Sequence, residues 1–319
     1  MKRREFILGL TILAHTGRAN GKDRVRRVGA LVTELGGEKL LETVLTGLGW
    51  RLGQDVQIDY RVTGGDTDRS RQAARELLAL KPDVLFAATN TSLAALRAEG
   101  SNVPTVFAMV SDPLGMHYVE SFARPGRNLT GFTPFEPSLG GKWVSLLKEA
   151  APSVKHIGLV YNPEPGNNSA AFRDSIDEIA TKSGIVSVEV PVGDSSGIDR
   201  LILASRDMPN SGLIFLPDAI TSTQRERYIG LVAQCGLPAV YSLRLFCDAG
   251  GLISYGPDIK KMYMGAASYV DRILRGADPA EMPVQAPTEF ELILNQRTAH
   301  QLGLQLPSTL LARADVVIE

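Results

Sequence analysis

Two stretches of the 319-residue chain set out side chains able to grip a small polar ligand. Thr89-Asn90-Thr91-Ser92 follows the apolar run Val84–Ala88 and opens a helical stretch. A helix opening on hydroxyl and amide side chains offers free N–H groups and a positive dipole end, which suits a carboxylate. The same residues equally serve as caps of their own helix. Asp218 follows Leu216-Pro217 at the end of a second strongly apolar run. A carboxylate there pairs with a ligand ammonium, or caps the helix that follows.

Covalent chemistry finds no comparable foothold. No Gly-x-Gly-x-x-Gly follows the first strand, there is no Walker loop, and Gly140-Gly141-Lys142 lacks a Gly-rich turn before it. His15, His117, His156 and His300 are scattered without metal-ligand spacing, and no nucleophile–base pair stands out. The reading is a binder, not an enzyme, with no cofactor or metal.

The elements that must position these residues alternate short β-branched runs with longer amphipathic stretches, the pattern of βαβ units and parallel sheets. Strands are predicted at Val28–Val32, Val56–Val62, Val84–Ala88 and Thr105–Ala108, with helices near Glu38–Leu48, Asp68–Leu80 and Ser92–Ala98. The second half repeats the rhythm with strands His156–Tyr161, Val186–Val190, Gly212–Leu216 and Ala239–Tyr241. Its helices fall near Ser169–Ser183, Gly197–Arg206 and Thr223–Cys235. Phrases echo as well: Val103-Pro104-Thr105-Val106-Phe107 is answered by Leu237-Pro238-Ala239-Val240-Tyr241.

This predicts an α/β protein of two Rossmann-like lobes with parallel sheets. Three candidate crossings join them, at Arg124–Phe132, Gly250–Pro257 and Glu289–Asn295. Lobe 1 is expected to take residues 27–130 plus 256–286, and lobe 2 residues 131–255 plus 287–319. Several crossings make a hinge. Ligands of open parallel sheets bind outside the carboxyl ends of the strands. That rule selects Thr33, Glu34, Thr89, Asn90, Thr91, Ser92, Ser111 and Asp112 in the first lobe, and Asn162, Asn167, Asn168, Asp218 and Ser242 in the second. Tyr241, with Tyr161, Phe107 and Phe135, would offer an apolar wall, although aromatics at strand ends are more often core.

Residues 1–19 read as a cleaved signal peptide: Lys2-Arg3-Arg4, the apolar run Phe6–Ala14, and small residues before a cut after Ala19. The paired arginines also fit a twin-arginine signal, and a buried amphipathic first helix is the competing reading. Cys235 and Cys247 either pair in an oxidising compartment or stay separate buried thiols. The net charge of −1, with no basic stripe, argues against a nucleic-acid partner.

Several longer phrases carry a family resemblance: Lys2-Arg3-Arg4-Glu5-Phe6, Ala123-Arg124-Pro125-Gly126 with Asn128-Leu129-Thr130-Gly131, Gly250-Gly251-Leu252-Ile253-Ser254-Tyr255-Gly256-Pro257, Pro287-Thr288-Glu289-Phe290 and Leu311-Ala312-Arg313-Ala314-Asp315. With these the chain resembles the bacterial substrate-binding proteins of ABC transporters, two-lobed proteins of the periplasmic binding protein type I-like fold. The resemblance implies a monomer that captures a small ligand in the periplasm by hinge closure and delivers it to an ABC permease and its ATPase. A ligand sensor that presents its closed form to a membrane receptor is the alternative use. The resemblance also points to amino acids, aromatic ones among them, with Thr89–Ser92 and Ser111 on the carboxylate and Asp218 on the amino group. Glu34 departs from the small hydroxyl residues usual in the first loop, and would repel a carboxylate or favour a cation.

Overall fold

The computed structural model describes residues 24–33, 38–163, 172–192 and 208–319. The signal segment, Glu34, Asn167, Asn168 and the helix expected at Gly197–Arg206 lie outside the described residues.

The first half builds a five-stranded sheet from β1 (Arg26–Val32), β2 (Val56–Val62), β3 (Val84–Ala87), β4 (Thr105–Phe107) and β5 (Leu129–Gly131), in the order β2-β1-β3-β4-β5. All of its strands run parallel. Parallel strands are covered on both faces and therefore read as unbroken apolar runs, as β3 does with all of Val84–Ala87 buried. Alternate residues of β1 feed different layers: Val28, Ala30 and Val32 join one apolar cluster and Leu31 the other.

Helix α1 (Glu38–Gly47) contributes Leu41 and Leu45 to the first cluster, and α2 (Thr67–Ala79) and α3 (Asn90–Ala98) cover the other face. In α2, Ser70, Ala73, Ala74 and Leu77 are buried, the i, i+3, i+4, i+7 stripe of a helix with one face inward. Asp66 starts it by accepting a hydrogen bond from the Arg69 amide at 2.8 Å.

The second sheet has seven strands: β6 (His156–Tyr161), β7 (Val186–Pro191), β8 (Ser211–Phe215), β9 (Ala239–Tyr241), β10 (Ile253–Gly256), β11 (Glu291–Asn295) and β12 (Val316–Ile318). They lie in the order β12-β11-β10-β9-β8-β6-β7. Every pairing is parallel except β10 with β11. Around this sheet pack α4 (Leu139–Ala150), α5 (Arg173–Lys182), α6 (Ala219–Thr223), α7 (Arg225–Cys235) and α8 (Arg244–Asp248). Trp143 of α4 is fully buried against Phe172 and Phe135, and its indole donates to the Tyr255 carbonyl at 2.8 Å.

Between β10 and β11 the chain returns to the first sheet as α9 (Ile259–Leu274), capped by Asp258. Its Ala266, Ala267, Val270 and Ile273 complete the cluster begun by β1 and α1. The Trp50 indole donates to Asp271 at 2.7 Å, joining residues 221 positions apart.

Strand β10 thus takes up half of one expected crossing phrase and β11 most of another, and the connections themselves are shorter. Pro257 and Asp258 lead from β10 into α9, and residues 285–290 lead back to β11. The first crossing, after β5, is tied to the last. The Thr133 amide donates to the Gln285 carbonyl and the Gln285 amide to the Gly131 carbonyl, both at 2.9 Å.

A cleft between the two sheets

The carboxyl ends of both sheets face one cavity of about 360 Å3. Each wall is built by the residues that terminate strands or begin helices.

From the first lobe come Thr33 after β1, Thr89 and Asn90 at the start of α3, and Met109 and Ser111 after β4. Thr89 takes an extended conformation and its hydroxyl accepts from the Ser92 amide at 3.3 Å, so the capping role is real. Asn90 is a clamp. Its side-chain amide donates to the Ser111 carbonyl at 3.1 Å, while its carbonyl accepts from the Ser111 amide at 2.8 Å. One buried amide therefore fixes the loop after β4 against the start of α3. Thr91 and Ser92 are buried behind this pair and do not line the cavity.

The second lobe contributes Phe135, Pro217, Asp218, Ala219, Ser222, Leu243 and Leu245. Asp218 is 8% exposed and caps α6 by accepting from the Thr221 amide at 2.8 Å. The Ser222 hydroxyl donates to its backbone carbonyl at 2.6 Å. A carboxylate has room for about four hydrogen bonds, so capping leaves capacity for a ligand. The cap orients the acid toward the cavity it lines.

Four other candidates sit elsewhere. Tyr241 is fully buried, stacked on Phe215 and Phe246 with ring centroids 4.8 Å apart in each case, and burial pushes its phenol far above the usual range. It is core and does not line the cavity, as are Phe107 and, at the core's edge, Tyr161. Asp112 has a left-handed backbone (φ 47°), and its side chain accepts from the Gly115 amide at 2.9 Å, holding the turn that follows rather than the cavity wall. Asn162 and Ser242 are buried but not among the lining residues.

The strand-end rule misses the apolar and cationic parts of the wall. Leu40 enters from α1, and Ile259, Lys260 and Tyr263 from the first turns of α9. Tyr263 packs on Phe86 of the sheet, ring centroids 5.7 Å apart. Lys260 is the cation of the wall; its own amide is capped by Asp258 at 2.8 Å. The available signal was the Pro257-Asp258 helix start, which sets the next turn at the mouth of the cleft. The rest of the lining is mainly apolar, with the hydroxyl and amide residues Thr33, Thr89, Asn90, Ser111 and Ser222, one acid on one lobe and one base on the other.

The model of the ABC transporter substrate binding protein family matches residues 38–318. The chain belongs to that family. Family and fold are those of non-enzymatic solute-binding proteins, which work outside the cytoplasmic membrane. Among the described residues no helix is long and apolar enough to cross a membrane.

A tyrosine-binding protein of Clostridioides difficile is 24% identical over 258 residues, covering 81% of this chain and 73% of the relative. A conserved domain protein from Vibrio cholerae has a structure with a TM-score of 0.85 at 28% identity, over 92% of this chain and 100% of that one. An ABC domain from Streptococcus pneumonia in complex with L-Trp gives 0.84 at 22% identity, with the same coverage. A ligand-free, open substrate-binding protein from Clostridium difficile gives 0.64 at 23% identity, over 92% of this chain and 99% of that one.

Proposed function

We propose that this substrate-binding protein captures an amino acid with a bulky apolar or aromatic side chain, and passes it to an ABC permease for import. The observation that carries the reading is the wall of the cleft, apolar except for a few polar groups and two opposite charges on opposing lobes. Asp218 is complementary to an ammonium, while Lys260, the Thr89 and Ser111 hydroxyls and the start of α3 are complementary to a carboxylate. Leu40, Met109, Phe135, Leu243, Leu245 and Tyr263 form the surface on which a large side chain is desolvated. A volume of about 360 Å3 lies at the small end of the roughly 300–1,000 Å3 of small-molecule sites, which suits a single amino acid.

The relatives support the same class of ligand, since one is a tyrosine-binding protein and another was solved with L-Trp. They also support capture by closure. At nearly equal identity, the structure resembles the L-Trp complex more than the open, ligand-free protein, with TM-scores of 0.84 and 0.64. A ligand shifts such an equilibrium only through contacts that are better in the closed state. Asp218 and Lys260, on different lobes, can touch one ligand only when the lobes meet. Export by the N-terminal segment to the periplasm is part of this reading.

The test is a panel of amino acids added to protein that has been unfolded, washed and refolded to remove ligand from the host. Large apolar and aromatic L-amino acids should raise the melting temperature, since a ligand at 100 times Kd stabilises by about 2.7 kcal/mol. A panel in which none shifts the transition, while sugars do, would exclude an amino-acid ligand.

A further inference from the structure

We infer that Gly65 is the positioning residue that lets the lobes close over the ligand, because no side chain fits at its position once Asp218 has arrived. This rests on the capture by closure proposed above. Gly65 lies in the turn after β2 of the first lobe, and the three atoms nearest to a side chain placed there belong to the second. A Cβ built on Gly65 would stand 2.9 Å from the Ala219 Cβ, and 3.4 Å from both the Ala219 carbonyl carbon and the Ile220 amide nitrogen. The glycine is buried, although it sits in a turn between a strand and a helix. What buries it is the start of α6.

Neither side of this seam can easily yield. The Gly64 amide donates to the carbonyl of the wall residue Thr33 at 2.8 Å, and the Asp66 amide donates to the Thr63 carbonyl at 3.2 Å. Asp66 then caps α2. The turn is thus fixed to the end of β1 and to α2. Across the seam, Ala219 directly follows Asp218, and α6 is held by the Thr221 amide and the Ser222 hydroxyl donating to Asp218. A side chain at 65 would therefore push back Asp218 together with α6, and move it away from Thr33, Thr89 and Ser111 on the facing wall.

Gly64 supplies the internal control. Both glycines have left-handed backbones, with φ of 64° at Gly64 and 80° at Gly65. Alanine is strained at either site in the open and closed forms alike. A Cβ at Gly64, however, meets only the far end of the Arg69 side chain, at 3.5 Å.

The experiment compares Gly64→Ala, Gly65→Ala and Gly65→Ala with Ala219→Gly, by titration with the amino acid that stabilises the wild-type protein most and by small-angle scattering of the as-purified proteins. The two single variants should melt alike without ligand. Gly65→Ala should bind about tenfold or more weakly than Gly64→Ala, as expected of an overpacked contact made in the closed form only, and should scatter as a larger particle. Removing the Ala219 methyl should recover part of the loss. Equal affinities for the two single variants, or a loss undiminished in the double variant, would overturn the assignment. If no amino acid binds the wild-type protein, the ligand class fails instead, and equal radii for the two single variants then overturn the role of Gly65.

Discussion

Asp218→Asn separates the two tasks that Asp218 performs. Asparagine caps a helix about as well as aspartate, so the bond to the Thr221 amide at 2.8 Å is kept and the start of α6 should survive. Only the charge is removed. At 8% exposure the carboxylate is largely screened from water, and truncating one partner of a buried, hydrogen-bonded charge pair costs about 2–5 kcal/mol. The affinity for an amino acid should therefore fall by about 30-fold to a few thousand-fold. The assay is calorimetric titration with an aromatic amino acid and with its des-amino analogue, on wild-type and variant protein, with urea denaturation alongside. The des-amino acid, which leaves the wild-type carboxylate without a cation, should bind the variant at least as well as wild type, and ligand-free stability should change by less than about 1 kcal/mol. An amino acid that binds the variant within threefold of wild type would refute the argument. So would an equal loss for both ligands, which would place Asp218 on some other part of the molecule.

Three further outcomes follow from the same geometry. Lys260→Gln should weaken binding by about two- to fivefold, the range of exposed ion pairs, and flatten the dependence of affinity on salt; titrations at two ionic strengths check this. Asn90→Ala removes both bonds to the Ser111 backbone and leaves its groups without those partners; it should cost about 1–3 kcal/mol of stability in urea denaturation and weaken ligand binding as well. Burial pushes the Cys247 thiol up to about 12, so native protein treated with iodoacetamide at pH 8 should carry label at the half-buried Cys235 alone, read by peptide mass spectrometry.

The strands were legible because a sheet covered on both faces demands unbroken apolar runs. His156–Tyr161 and Ala239–Tyr241 end where their apolar and aromatic residues give way to Asn162 and Ser242. The same property hides which face a strand residue serves, and Tyr241 at the tip of β9 is core for that reason. Glu291–Asn295 is a five-residue strand, too short for its pattern to distinguish a hinge from an antiparallel strand lying between two others of the sheet. At the site, Thr89, Asn90, Ser111 and Asp218 were legible because strand ends and helix caps leave a mark in residue type. Leu40, Leu245, Lys260 and Tyr263 line the cavity only because helices from distant parts of the chain converge on it. Asp112 misled because its placement depends on a left-handed backbone that residue type does not announce.

The bond from Trp50 to Asp271 spans 221 residues, and its consequence is temporal. At roughly 5–20 residues per second, synthesis delivers the second partner about 10–40 s after the first. Through that interval the sheet face lined by Val28, Ala30 and Phe86 lacks the helix that covers it. The lobe that begins the chain is thus among the last parts to acquire a finished core. The nascent protein waits with an adhesive flank exposed, and anything that shields that flank during the delay will govern how much of it reaches the native state.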